Sequence, residues 1–283
     1  MSARAADRAA KAANLTQVCE YIYRHTGLVY GPSKHYFAER RLTQRMNATG
    51  HRDFSAYYGR LMRDPAELEA LVNAFTINET YFFREKHQLQ SLSASLLPMI
   101  AAGKGAGDSI RIWSVPCSTG EEPYSIAIWL LENWPLVDAY NIDILGSDID
   151  TEAIEAARQG LYGERALSRL PGEMRSLYFE REGETQWRII QDLRESVRFG
   201  RVNLVDPGSV DGQGRFEVIF CRNLLIYFDE RARNLAMDNI YRALAPGGFL
   251  CLGHTEALAP VGDRFIACRF KEGVAYRRPV DAP

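Results

Sequence analysis

IRIWSVPCSTGEEPYSIAIWLL, residues 110–131, decides the fold. Ile110 to Val115 is short, apolar and β-branched, which predicts a strand buried in a parallel sheet. Pro116 to Glu122 is a tight polar loop with one glycine, Gly120. Pro123 suits the first position of a helix, where no partner needs its missing N–H. Tyr124 to Trp134 then carries Ile126, Ile128, Leu130 and Leu131 as an apolar helix. Strand, glycine turn and helix N-terminus in succession make a ligand-binding corner of a doubly wound sheet.

The loop chemistry narrows the ligand. A dinucleotide site uses G-x-G-x-x-G, so that bare backbone and the helix dipole meet a pyrophosphate. This loop has one glycine and two carboxylates, Glu121 and Glu122, which would repel a pyrophosphate. Acidic groups suit a ligand bearing hydroxyls and positive charge, such as S-adenosylmethionine with its ribose diol, ammonium and sulfonium. The competing reading makes both glutamates solvated first-turn residues favoured by the helix dipole. On the loop alone the two are even.

The whole chain sets the bounds. Its 283 residues, 46% hydrophobic and 25% charged with a formal net charge of −2, have ordinary globular composition. They suffice for one large domain or two smaller ones. No apolar run approaches the roughly 20 residues of a membrane span. The alanine-rich, basic start reads as a helix or frayed tail, without the apolar core of a signal peptide. Cys19, Cys117, Cys221, Cys251 and Cys268 are scattered and lack a C-x-x-C pair, which argues against disulfides and zinc and for a reducing cytoplasm. No metal site is expected.

Outward from residues 110–131, the chain divides. Residues 1–88 read as an all-α N-terminal domain, 89–107 as a linker ending in Gly103-Lys104-Gly105-Ala106-Gly107, and 108–283 as an α/β domain. Leu15 to His25, Ser33 to Met46, a helix opened by Asp53 and a helix launched by the capping box Asp64-Pro65-Ala66-Glu67 form the bundle. Between Gly31 and Arg63 seven basic residues face two acidic ones, and Arg41 and Arg45 are four apart on one helix face. Such a face is either solvated or a docking surface for an acidic partner; no nucleic-acid motif accompanies it. Residues 76–84, TINETYFFR, read as a hinge packed by aromatics or a lid that brings an arginine over the ligand.

The α/β pattern resumes after residue 131. Ile142 to Gly146 is a second strand that places Asp148 near its carboxyl end, where an acidic residue grips a ribose diol. Asp150 caps the next helix, Thr151 to Arg158. Tyr178 to Glu182, Gln186 to Gln191 and Ser196 to Phe199 predict a small antiparallel insertion at about 176–200. Phe216 to Cys221 is a further buried strand, Asp229 caps a helix, and a hairpin closes the chain.

NETYFFR, STGEEPYS, SDID, VNL and CRNLLIYF, in this order and spacing, resemble the chemotaxis receptor methyltransferases, the glutamate O-methyltransferases of the CheR type. The likeness runs from about Leu15 to the end, and five motifs in register make it specific. It implies a Rossmann-like methyltransferase sheet that uses S-adenosylmethionine to methylate glutamates on the cytoplasmic helices of chemoreceptors. It also implies a protein of the cytoplasm, neither inserted in membrane nor bound to nucleic acid, with nothing demanding more than a monomer. The implied cofactor contacts are Asn78, Thr80, Arg84, Glu122, Asp148, Asn203, Leu204, Arg222 and Asn223, with Arg84 and Tyr227 nearest the transferred methyl. Lys34, Arg41 and Arg45 fall on the implied receptor-docking face. The family motif usually reads N-L-T where this chain has Asn78-Glu79-Thr80, which adds a charge. The loop from Glu180 to Trp187 is about a hairpin turn shorter than in members that bind a receptor's C-terminal pentapeptide, so tether-free action is expected. Three other readings compete with this one: a methyltransferase with another acceptor, a silent cofactor-binding module and a dehydrogenase, the last disfavoured by the loop.

Overall fold

A computed structural model of the protein describes residues 3–31, 34–256 and 264–280. Four helices come first: α1 (Ala3–Thr26), α2 (His35–Ala48), α3 (Phe54–Leu61) and α4 (Pro65–Phe75). The expected start of the second helix at Ser33 lies outside the described residues. Asp53 caps α3 through the Ala56 N–H, and Asp64 caps α4 through the N–H groups of Ala66 and Glu67. Only half of the expected capping box forms. Glu67 turns inward, 2% exposed, and accepts from Arg45 at 2.7 and 3.1 Å and from the Tyr57 hydroxyl at 2.9 Å.

Among the described residues ten strands follow: β1 (Ser109–Ser114), β2 (Asn141–Asp148), β3 (Leu161–Gly163), β4 (Phe179–Glu182), β5 (Gln186–Ile189), β6 (Val197–Arg201), β7 (Phe216–Cys221), β8 (Leu244–Leu252), β9 (Ile266–Phe270) and β10 (Gly273–Arg277). Seven form one sheet in the order β6-β2-β1-β7-β8-β10-β9. The first five are parallel, and the β9–β10 hairpin is antiparallel. Alternate side chains of β1 enter different cores: Trp113 packs with the N-terminal helices, and Ile110 and Ile112 with the helix Glu121–Asn133. Burial on both faces explains why these strands read as continuous apolar runs.

Four expectations change. The antiparallel insertion is β3-β5-β4, beginning at Leu161. The strand expected at 196–199 is instead β6, paired parallel with β2 at the edge of the main sheet. The two locations look alike in sequence because either is covered on one face. Residues 86–101, within and before the stretch read as a linker, are helical and bury Leu89, Leu92, Leu96 and Leu97 against the sheet. Finally, the helix after β1 begins at Glu121, so Pro123 is its third residue, where an N–H still lacks an intrahelical partner.

The N-terminal helices share a core with the sheet. Val18, Ile22, Tyr57, Leu71 and Phe75 join Trp113, Leu145, Ile219 and Leu250 in one cluster. Among the described residues, no helix is long and apolar enough to cross a membrane. Arg45→Ala, which strands the buried Glu67, is expected to cost about 3 kcal/mol of stability. Arg41→Ala, on the same helix, is expected to cost under about 0.5 kcal/mol. Denaturant unfolding followed by circular dichroism checks both, and equal losses would give the two arginines one role.

Candidate active site

Strand order reverses between β1 and β7, and ligands of open α/β sheets bind outside the carboxyl ends of strands at such a point. The loops there enclose a cleft with two halves. One, of about 690 Å³, is walled by Leu28, Tyr30, Phe75, Ile149, Val202 and Leu204. The other, of about 770 Å³, is lined by Thr80, Arg84, Glu122, Ser125, Arg222 and Tyr227. Ile77, Pro116, Ser118, Asn223 and Tyr227 border both.

Asp148 is the last residue of β2 and is 4% exposed. Its carboxylate accepts the Ser118 N–H at 2.8 Å and the Asp150 N–H at 3.0 Å. Burial pushes its pKa up to about 6, with the charge of Asp150 adding to the rise and the amide bonds opposing it. Asp150 caps the following helix as expected. Asn78 donates to Asp150 at 2.7 Å and accepts from the Ser118 hydroxyl at 3.1 Å, which ties residues 76–84 to the loops after β1 and β2.

The two glutamates of the loop part company, and neither is a solvated first-turn residue. Glu121 is 4% exposed, accepts from the Thr119 hydroxyl and is pushed up to about 6 by burial. Glu122 alone lines the cleft. It accepts from Ser114 at 2.8 Å and from the buried Arg222 at 2.5 Å. Arg222 also donates to the Arg84 carbonyl at 2.8 Å and lies 3.4 Å from Glu85. The single glycine of the loop is needed for packing: Gly120 has φ +93°, and a Cβ there would lie 2.8 Å from that of Ala157.

Among the described residues, the four non-glycines with positive φ are Phe83, Glu85, Ser118 and Asn223. All sit in the three segments that wall the cleft, as expected where surrounding structure holds strain at a functional site. Glu256 is the residue that sequence reasoning missed. It is 5% exposed, and its carboxylate accepts the N–H groups of Asn223 at 2.5 Å, Leu225 at 2.7 Å and Gly253 at 3.1 Å. It thereby holds the turn that delivers Asn223 and Tyr227. Its only signal in sequence was an acid shortly after an apolar strand.

Arg84 and Tyr227 do meet at the polar half. Arg84 is oriented by the Glu79 carbonyl at 2.7 Å. Lys34 Nζ sits 4.2 Å from the centre of the Tyr227 ring, so the start of α2 reaches the cleft. Leu204 walls the apolar half, whereas the Asn203 amide donates to the His25 carbonyl at 2.7 Å and binds the end of α1 to the site. Arg45 is not brought to the cleft; it is committed to Glu67. Arg41 packs over Phe37 beside the segment 76–80.

This donor set fits S-adenosylmethionine: apolar walls for a base, an acid for a diol, and paired charges for an amino-acid end. Residues 78–274 match the family model described as CheR methyltransferase, SAM binding domain. Residues 13–76 match CheR methyltransferase, all-alpha domain. The chain is 44% identical to chemotaxis protein methyltransferase 2 of Vibrio cholerae, covering 92% of this chain and 91% of the relative. It is 36% identical to chemotaxis protein methyltransferase 2 of Pseudomonas aeruginosa, covering 85% of each. With the chemotaxis protein methyltransferase of Salmonella typhimurium it shares 36% identity over 86% of this chain and 83% of that one. Spanning both halves of one family along nearly its whole length, this protein belongs to the CheR methyltransferases and is an S-adenosylmethionine-dependent enzyme.

Proposed function

We propose that the protein methylates glutamate side chains on the cytoplasmic helices of a chemoreceptor. The observation that carries this is the mouth of the polar half, where Arg84 and Tyr227 meet and Lys34 reaches in from α2. The relatives' names support a chemotaxis role. Asp148 is assigned to the ribose diol, Leu204 and Asn203 to the base side, and Asn78 to the loop between them. Glu122, Arg222, Asn223, Thr80 and Arg84 are assigned to the amino-acid side.

When bound, the cofactor supplies an activated methyl group on a sulfonium. A glutamate has a reference pKa near ~4.3, so at neutral pH the acceptor is already a nucleophilic anion and needs no general base. The chain's task is therefore to align that carboxylate and strip its water. Arg84, fixed by the Glu79 carbonyl, gives the anion a directed cation without enclosing it. Tyr227, half-buried beneath Lys34, supplies a flat wall with a hydroxyl. Arg41 offers charge to an acidic partner along α2, whereas Arg45 does not.

The turn between β4 and β5 spans only residues 183–185. This supports action without a receptor pentapeptide tether. Calorimetry is expected to detect no specific binding of a receptor C-terminal pentapeptide, and tight binding would overturn that part.

The central test uses labelled S-adenosylmethionine and a receptor cytoplasmic fragment. Label is expected on the fragment and to leave it as methanol in mild alkali, the mark of a carboxyl methyl ester; stable label would mean another acceptor group. Arg41→Glu is expected to raise the KM for the fragment while leaving cofactor affinity unchanged. Cofactor binding has a pH signature too. The ionised Asp148 is the form with free acceptor capacity, and it predominates above about 6. Affinity is therefore expected to be flat above pH ~7 and to fall by up to about tenfold per unit below 6. Asp148→Asn is expected to weaken binding by about 10- to 100-fold at neutral pH and to abolish that dependence. Calorimetry across pH reads both, and an unchanged profile in the variant would remove Asp148 from the role.

A further inference from the structure

A groove leads to the polar half of the cleft between Phe37 and Arg41 of α2 and the segment Gly163, Arg165 and Ala166. Ile77, Glu79 and Thr80 line both the groove and the polar half, so they form the sill between them. The Glu79 carboxylate accepts from Arg165 Nη2 at 2.7 Å, and the two side chains are 68% and 86% exposed. Among the described residues lining the groove, Glu79 is the one acid, and Arg41 and Arg165 are the cations.

An acceptor glutamate is an anion, and one that enters along this groove passes the sill before it reaches Arg84. An unmasked carboxylate at the sill repels it, and a neighbouring guanidinium cancels most of that repulsion. Exposed pairs of this kind are worth only about 0.2–1 kcal/mol, so the pair can reopen and exchange as an acceptor docks. Arg84 is held by the backbone carbonyl of Glu79 and not by its side chain. The side chain therefore acts on acceptor entry and leaves the aim of Arg84 alone.

We propose that Glu79 and Arg165 form an acceptor-selecting sill. Glu79 disfavours anionic acceptors, and Arg165 lowers that barrier by masking Glu79 without touching the acceptor. The assignment rests on the reading of the acceptor as a receptor glutamate. It makes Arg165 a positioning residue whose effect exists only while Glu79 is charged.

The test is a double-mutant cycle on the full chain, with kcat and KM measured for a receptor cytoplasmic fragment at low and high salt. Glu79→Gln is expected to lower KM by about two- to fivefold, and Arg165→Gln to raise it by a similar factor, the size of exposed charge pairs. The double variant is expected to match Glu79→Gln, with kcat within about twofold throughout and all differences shrinking with added salt as charges are screened. An equal penalty from Arg165→Gln in both backgrounds would show direct contact with the acceptor and overturn the masking role. An unchanged KM in Glu79→Gln, or a loss confined to kcat, would overturn the sill while the methyl-transfer reading stands. No methyl transfer to the fragment by the wild-type chain, with cofactor still bound, would overturn the acceptor reading and this assignment together.

Discussion

A buried arginine joins three distant parts of this chain. Arg222 follows β7, binds Glu122 in the first turn of the helix after β1, donates to the carbonyl of Arg84 and approaches Glu85. A charge with 5% exposure is costly unless paired and hydrogen-bonded, and this one is both. The requirement runs the other way too. Removing Glu122 takes away the close partner of a buried cation, so the polar half of the cleft stands as a unit. The remaining site geometry is arranged around that constraint.

Strain and its restraint lie side by side. Asn223 has φ +61° and Ser118 has φ +49°, conformations that cost a side-chain-bearing residue about 1–3 kcal/mol each. Asn223 is held by Glu256, which collects three backbone N–H groups, and Ser118 by the carboxylate of Asp148. These bonds are charge-assisted, and so stronger than neutral ones. The helical domain contributes as well: the Val29 N–H donates to the Tyr227 carbonyl at 2.9 Å, and Leu28 pairs with Phe228. Its core is continuous with one face of the sheet, so it forms a wall of the site as well as carrying a docking helix.

The basic helix shows why charge must be followed to its partner. Arg41 and Arg45 look equivalent in sequence, one helical turn apart. Glu67 separates them by drawing Arg45 into a bidentate pair beneath Tyr57, while Arg41 stays at the groove. Glu79 tells the same story in reverse: an acid of unassigned orientation in sequence proves to be answered by Arg165 from a different element.

Local chemistry made much of this protein legible. β1, the one-glycine loop, Asp148 at the end of β2, and the caps Asp53, Asp64, Asp150 and Asp229 follow from residue type and spacing, because each is decided within a few residues of chain. Five motifs in register carried the family. Tertiary structure decided the rest. It placed β6 in the main sheet, packed residues 86–101 into the core, and committed Arg45 to Glu67. It also set Glu256 under a turn 31 residues earlier in the chain, counting from Leu225 to Glu256. Each of these depends on which buried charge, edge or apolar face finds a partner across the fold, and a sequence lists its partners without saying which will meet.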